Sequence, residues 1–508
     1  INATEYFLRA VTSGTRNWND TATWSTVSSS SATNTGTFPQ SGDTVVYEGS
    51  STTAITLNIN SDAVCDAFTN QGLGDNSNIT ITIASGRTLT VNGDLHITGI
   101  ANLTKSITLS GTGTLVVTGD INIGTAGITA TTNGEFTRMT FGGPNINLDG
   151  NLNMYNIVNG TSNQGAFVSH SAGKLTLLGT GTKGYLNSYQ PGTGLSANNK
   201  YTTVTGSATI EFHHVTDCPI YTQQGITNAP VFTATGSLIT YTGSGAASVI
   251  YGNSYNHLNL DNPSGYTING NVTITNQMDM VAGNLNIGTS FSFFMNANTK
   301  LNISSGNGVT GTSNRFRYNG PVDITYSGSV TKAGIELRTG SAFSGGTSTT
   351  PTRINSLTIT GTTNFNLGTS VGLNAVNTTT TSLYVLSNVN INDTSFTCNM
   401  PFIYTPSITI EGGTATFNGV LGSIDFLTIE GSTTLTTNTT INNTLSVGAN
   451  VTNNAIITTN NLDVTANTTF NGNGTGRVFV LDALAVASGV VLNTGDEIVL
   501  YSDEATTA

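Results

Sequence analysis

Chemistry in this 508-residue chain would have to come from few side chains, because Asp, Glu, Lys and Arg together make up 8% of it. Asp94 and Asp120 each follow a glycine in matching segments. Two carboxylates on neighbouring strands could bind calcium or divide acid and base roles. Later copies of the same segment carry Asn there, however, and an Asp-to-Asn exchange suits a chain corner better than catalysis. Glu411 and Glu430 occupy equivalent places in successive copies. Stacked carboxylates repel unless solvated or bridged by a cation, so they read as exposed edge charges. His213 and His214 form the one adjacent histidine pair, with Asp217 and Cys218 nearby. Neighbours on a strand point to opposite faces, so the two rings cannot share a metal without a bulge.

Other signals are equally spare. Cys65, Cys218 and Cys398 are too far apart and too few for a disulfide framework or a ligand cluster, and they read as small buried hydrophobes. There is no nucleophile elbow, phosphate-binding glycine loop, His-Glu-x-x-His or EF-hand loop. No catalytic, cofactor or metal site is expected. The tyrosines at 185, 189, 201 and 221 could form an aromatic platform for sugars, although packing an insertion onto the body is the plainer reading.

The elements that would position these residues are strands. Helix formers are thin and no i, i+3, i+4 apolar pattern persists. Instead aliphatics alternate with Thr or Asn, as in Ile79-Thr-Ile-Thr-Ile83, Ile408-Thr-Ile410 and Leu427-Thr-Ile429, the mark of a half-buried strand. Leu89-Thr-Val-Asn-Gly-Asp-Leu-His-Ile97 returns as Leu115-Val-Val-Thr-Gly-Asp-Ile-Asn-Ile123 and as Ile146-Asn-Leu-Asp-Gly-Asn-Leu-Asn-Met154. It returns again as Tyr266-Thr-Ile-Asn-Gly-Asn-Val-Thr-Ile274, and in part at Gly283-Asn-Leu-Asn-Ile287. A second frame, aliphatic-Thr-Ile-x-Gly, starts at Leu357, Ile408 and Leu427. Repeats of this size cannot bury an aliphatic face alone, so they must stack. The fold expected is all-β, a right-handed parallel β-helix, with an array of β-sandwiches as the rival.

Four stretches are expected: an N-terminal cap with Trp18 and Trp24 over 1–50, coils over 51–182, an irregular Tyr- and Pro-containing insertion or long-looped coils over 183–235, and coils over 236–508 that end without a cap. An open final rung could accept Tyr6-Phe-Leu-Arg-Ala-Val11 of another copy and so build filaments. A net charge of −12 disfavours nucleic acid, and no run of 18 apolar residues suggests a membrane span. The start at Ile1 suggests a removed signal peptide or a processed fragment.

Several segments resemble the large secreted cell-surface β-helix proteins of Bacteroidetes, many exported by type IX secretion. Ser13-Gly-Thr-Arg-Asn-Trp18-Asn-Asp-Thr-Ala-Thr-Trp24 with Phe38-Pro-Gln-Ser-Gly-Asp43 looks like their opening region. Ile239-Thr-Tyr-Thr-Gly243, Tyr251-Gly-Asn-Ser-Tyr-Asn-His-Leu258, Ile324-Thr-Tyr-Ser-Gly328 and Thr494-Gly-Asp-Glu-Ile-Val-Leu-Tyr501 are similar to their rungs. Asp20-Thr21-Ala22 and Asp43-Thr44-Val45 resemble the short O-glycosylation motif of these bacteria, although a Thr-rich chain yields such tripeptides by chance. The resemblance implies an extracellular, non-catalytic stalk or adhesin. Its partners would be cell-surface or matrix glycans or copies of itself, and the secretion machinery during export. A polysaccharide lyase or glycosidase on the same fold is the alternative, and a viral tailspike is a more distant one.

Overall fold

The computed structural model describes residues 3–10, 12–49, 54–71, 77–98, 104–125, 137–155, 157–158, 163–164, 166–179, 181–189, 200–215, 217–222, 230–304, 308–311, 315–328, 330, 335–337, 354–367, 382–398, 402–418, 420–421, 424–472, 476–495 and 497–501. The chain is all-β, 63% strand and 2% helical, with long parallel sheets. It divides into two compact units, Ile1–Asn259 and Leu260–Ala508.

Over residues 44–148 of the first unit each repeat supplies three strands, and each strand pairs in parallel with its counterpart in the next repeat. Ser77–Ile83, Thr88–Val91 and Leu95–Ile97 are followed by Lys105–Gly111, Thr114–Val117 and Ile121–Ile123. The sequence frame is the structural register: Leu89 faces Leu115, which faces Ile146, and Leu95 faces Ile121, which faces Leu152. Alternation does the sorting. Ile79, Ile81 and Ile83 are buried to 2% exposure or less while Thr80 and Thr82 lie on the outer face. Burying one such aliphatic side chain is worth about 1.5–3 kcal/mol, and the gain repeats in every copy.

The first strand is covered on both sides. Glu5–Leu8 pairs in parallel with Thr44–Tyr47 and antiparallel with Trp24–Ser25. Trp24 is fully buried, its indole donates to the Trp18 carbonyl at 2.7 Å, and the two rings meet edge to face at 5.0 Å. At Phe7 and Leu8 the strand offered above as a filament donor therefore has its second edge taken by the chain's own Trp24–Ser25 segment. Asp20 caps the short turn Thr21–Thr23, and Asp43 accepts from the backbone of Thr4 and Gln40, so both acids have structural partners.

Residues within 183–235 also join the ladders. Leu186–Tyr189 pairs in parallel with Leu152–Tyr155 and with Ile220–Thr222, and Lys200–Phe212 pairs with Ala166–Leu177. Pro191 lies outside the described residues.

The second unit uses the same parallel pairing with shorter repeats towards its end. Leu357 faces Val389, which faces Ile408, which faces Leu427 and then Leu445. One expectation fails here. Leu285 faces Tyr266, whereas the sequence frame matched it to Val272, which instead faces Phe293. A Gly-Asn step followed by an alternating strand builds a corner, and this repeat uses that device at more than one corner.

Polar groups do enter the cores, and several have clear partners. Lys105 is fully buried, its ammonium bonds the Gln71 carbonyl, and burial pushes its pKa down to about 8. Glu336 is fully buried and accepts from the Val309 amide at 2.9 Å and the Tyr326 hydroxyl at 2.6 Å. Cys65 and Cys398 are buried and in no disulfide, and burial pushes the Cys65 thiol up to about 12. His170 sits between the rings of Phe141 and Tyr201. Its Nδ1 is 2.9 Å from the Tyr201 hydroxyl and its Nε2 3.0 Å from the Gly173 carbonyl. That arrangement fits a neutral ring donating through Nε2.

Burial pushes the His170 pKa down to about 4. In the unfolded chain it titrates near 6.5, so the unfolded state takes up the proton first and stability falls as pH drops from about 6.5 to about 4. The shift corresponds to about 3 kcal/mol. Denaturant titrations at pH 7 and pH 4 should show a smaller loss for His170→Gln than for the native chain; equal losses would contradict the burial argument.

Candidate functional site

The Gly-Asp and Gly-Asn corners of the first unit form a continuous hydrogen-bonded line. Asp94 Oδ1 accepts from the Asp120 amide at 2.7 Å, Asp120 Oδ1 from the Asn151 amide at 2.7 Å, and Asn151 Oδ1 from the Tyr185 amide at 3.0 Å. Each side chain caps the backbone of the next repeat. Asp and Asn serve alike because both present an oxygen there. The glycines are tied to the same feature. A Cβ on Gly119 would lie 2.3 Å from Asp94 Oδ1, and one on Gly150 would lie 2.5 Å from Asp120 Oδ1. The backbone of the previous repeat leaves no room either, since those Cβ atoms would also lie 2.6 Å from the Gly93 carbonyl oxygen and 2.1 Å from that of Gly119, so close stacking of the corners requires glycine there. Gly184-Tyr185-Leu186-Asn187 is a further copy of the frame, hidden in the sequence because Tyr replaces Asp or Asn.

The two histidines turn to different acids, as their alternation requires. His213 Nε2 lies 2.6 Å from Glu211 Oε1, and Lys174 pairs with the same carboxylate. The His213 hydrogen bond, with help from Lys174 and against partial burial, holds the Glu211 carboxyl down at about 2. His214 is fully buried, with Nδ1 3.0 Å from the Lys183 carbonyl and Nε2 bonded to Asp217. The Tyr185 hydroxyl donates to Asp217 at 2.9 Å, its ring centroid 4.3 Å from that of His214. Cys218 donates instead to the Ile220 carbonyl. These contacts brace the corner after Lys200–Phe212.

Glu411 and Glu430 are both exposed, and Glu411 turns away from its counterpart. Its carboxylate accepts from Asn390 at 2.8 Å and Asn392 at 3.2 Å, one repeat earlier. It is the extra residue where Ile391 faces Ile410 but Asn392 faces Gly412, a bulge that aims it backwards. Among the described residues no group of three or more His, Cys, Asp or Glu could hold a metal ion.

Side chains that point away from the core of Ile121–Ile123, Leu152–Tyr155, Leu186–Tyr189 and Ile220–Thr222 form a second ladder, in which Asn153 and Asn187 are buried at 3% and 6% exposure. Asn122, Asn153 and Asn187 stand in register, Asn153 donating to Asn122 and Asn187 to Asn153, each at 2.9 Å. Asn153 also donates to Asp120 Oδ2 at 3.0 Å. Beside this amide row, Tyr155 stacks on Tyr189 with centroids 5.1 Å apart and planes 12° apart. Tyr221 follows at 6.1 Å, tilted by 50°. Burial raises the Tyr155 phenol, and Tyr189, Asp120 and Asp94 add to the shift, which places acidic charge beside the rings. Tyr201, by contrast, points into the core. Sequence reading picked out Tyr189 and Tyr221 but missed Tyr155. The available signal was Asn or His recurring in the outward position of the frame, with Tyr155 directly after Met154.

Replacing Asp94 separates the corner role from any catalytic one. Asp94→Asn should leave the urea midpoint close to native, because the amide oxygen still accepts from the Asp120 amide. Asp94→Ala should cost about 1–3 kcal/mol by leaving that partner unmet. A large loss in the Asn variant would show that the charge itself matters.

Comparison with known proteins finds no matching family model, no matching curated protein and no matching solved structure.

Proposed function

We propose that this chain is a parallel β-solenoid stretch of a non-catalytic extracellular protein, a stiff stalk or adhesin at a bacterial surface. The observation that carries the reading is what its acids do. Asp94, Asp120 and Glu411 are engaged in holding one repeat to the next, Asp217 in bracing a corner, and each has structural partners. The rungs resemble those of secreted Bacteroidetes surface proteins, and that likeness supports an extracellular location with glycans as partners. No helix among the described residues is long and apolar enough to cross a membrane. A lyase or glycosidase would need two carboxylates free to face a substrate.

Two measurements test this. A strain lacking the gene should attach, glide or form biofilm less well, and unchanged surface behaviour would count against the proposal. The purified chain should release no reducing ends or unsaturated products from neutral or acidic polysaccharides, with or without calcium. Product formation would make it an enzyme.

A further inference from the structure

We infer that one face of the second unit binds ice, as a lattice of hydroxyls that fits a lattice of water. This goes beyond the adhesive reading and rests only on the stacked ladder. The face is built from the ends of Ser382–Cys398 and Ser407–Phe417, with Ser432–Leu435 and Val451–Asn453. Two rows of residues stand in register on it. Ser395 faces Thr414, which faces Ser432. Two positions along each strand, Thr397 faces Thr416, which faces Thr434 and then Thr452. Phe396, Ala415, Thr433 and Val451, which alternate with these residues, are buried, so both rows point outward. Thr414 and Ser432 are exposed and the other five half-buried. Their hydroxyls are also unspent. None of the seven has a hydrogen-bond partner among the described residues, whereas Thr82 and Ser110 of the first unit bond to each other at 2.8 Å.

The spacing selects the ligand. Parallel rungs repeat at about 4.8 Å, and residues two apart on a strand at about 6.6 Å. These two repeats, nearly at right angles, lie close to those of the oxygen atoms on a prism face of ice. Threonine suits such a face because its branched Cβ restricts χ1, so the hydroxyls are held before binding and little ordering is lost. Charge, which gathers water around itself rather than into a crystal, is absent: residues 395–398, 414–417, 432–435 and 451–453 include no Asp, Glu, Lys or Arg. Two residues past Thr452, Asn454 Oδ1 is shielded from solvent and has no protein partner, a polar atom that calls for an ordered water at the edge of the face. Other outward rows are interrupted. Arg138 and Phe167 stand beside the row through Thr140, and the Glu411 bulge and the exposed Phe426 flank the row through Thr409 and Thr428.

Partition of the purified, fluorescently labelled full chain into slowly growing ice tests the assignment, with serum albumin as the reference. The native chain should be taken into the ice and should slow the coarsening of ice crystals held just below melting; albumin should do neither. Thr416→Tyr and Thr434→Tyr, each alone, should lower uptake about tenfold, which corresponds to about 1.4 kcal/mol, because a ring at either position holds the ice off the neighbouring hydroxyls. Thr416→Lys, a second change at the same place, carries the same expectation. Thr80→Tyr, on the outer face of the first unit, should partition as the native chain does, and matching thermal melts would show that the variants remain folded. The inference is overturned if the native chain enters ice no more than albumin does. It is also overturned if the variants at Thr416 and Thr434 enter as the native chain does, or if Thr80→Tyr loses as much as they do. Failure here leaves the adhesive reading standing, because that reading is tested by attachment of the deletion strain and by polysaccharide cleavage.

Discussion

In-register parallel stacking is the constraint on which everything else depends. When a strand pairs with its own counterpart in the next repeat, each side chain meets its equivalent at about 4.8 Å. Residues that tolerate their own copy are favoured and those that do not are excluded. Isoleucine above isoleucine builds a core, as at Ile79 and Ile107. Asparagine above asparagine donates and accepts at once, as at Asn122, Asn153 and Asn187. Tyrosine above tyrosine stacks, as at Tyr155 and Tyr189. Carboxylate above carboxylate repels, and here the charged fraction is 8%.

The few acids present obey the same rule by leaving the pattern. Asp94 and Asp120 turn onto the backbone of the following repeat, and their oxygens occupy the space a Cβ would need at Gly119 and Gly150. The stacked backbone excludes a Cβ at the same two positions, so the corner needs glycine twice over. Glu411 escapes through a bulge and finds two amides, and Glu211 finds His213 and Lys174. In each case electrostatic and hydrogen-bonding demand is met within the fold. Tyr221 differs from the buried tyrosines, because it stays 49% exposed at the end of the Tyr155–Tyr189 stack.

Much of this was legible in the chain. Period-2 alternation at Ile79–Ile83 and the repeated Leu89–Ile97 frame lead directly to the strands and their register, since alternation sets the face and repetition sets the partner. The opposed histidines at 213 and 214 follow from the same geometry. Less legible was anything fixed by the third dimension. Gly184-Tyr185 hid a corner because its side chain departs from the frame while its backbone does not. Leu285 was matched to Val272 because the same Gly-Asn device serves different corners. Lys105 and His170 stand on the inward side of their own alternation, two residues from Ile107 and from Val168, whereas Glu336, in the turn Ile335–Leu337, has no such pattern to place it.

The sequence by itself determined the strands, the faces they bury and the scarcity of charge, because each is a local or repeating property. Tertiary structure alone decided which outward residues meet. Tyr155 and Tyr189 lie one repeat apart in the chain and stack only because Leu152–Tyr155 and Leu186–Tyr189 pair without a slip. A one-residue shift would send one ring to the opposite face. Where Asp120 spends its two oxygens, on the Asn151 amide and on Asn153, was likewise set by the stacked corner. Contact between repeats is a property of register summed over the whole ladder, and no single stretch of sequence carries it.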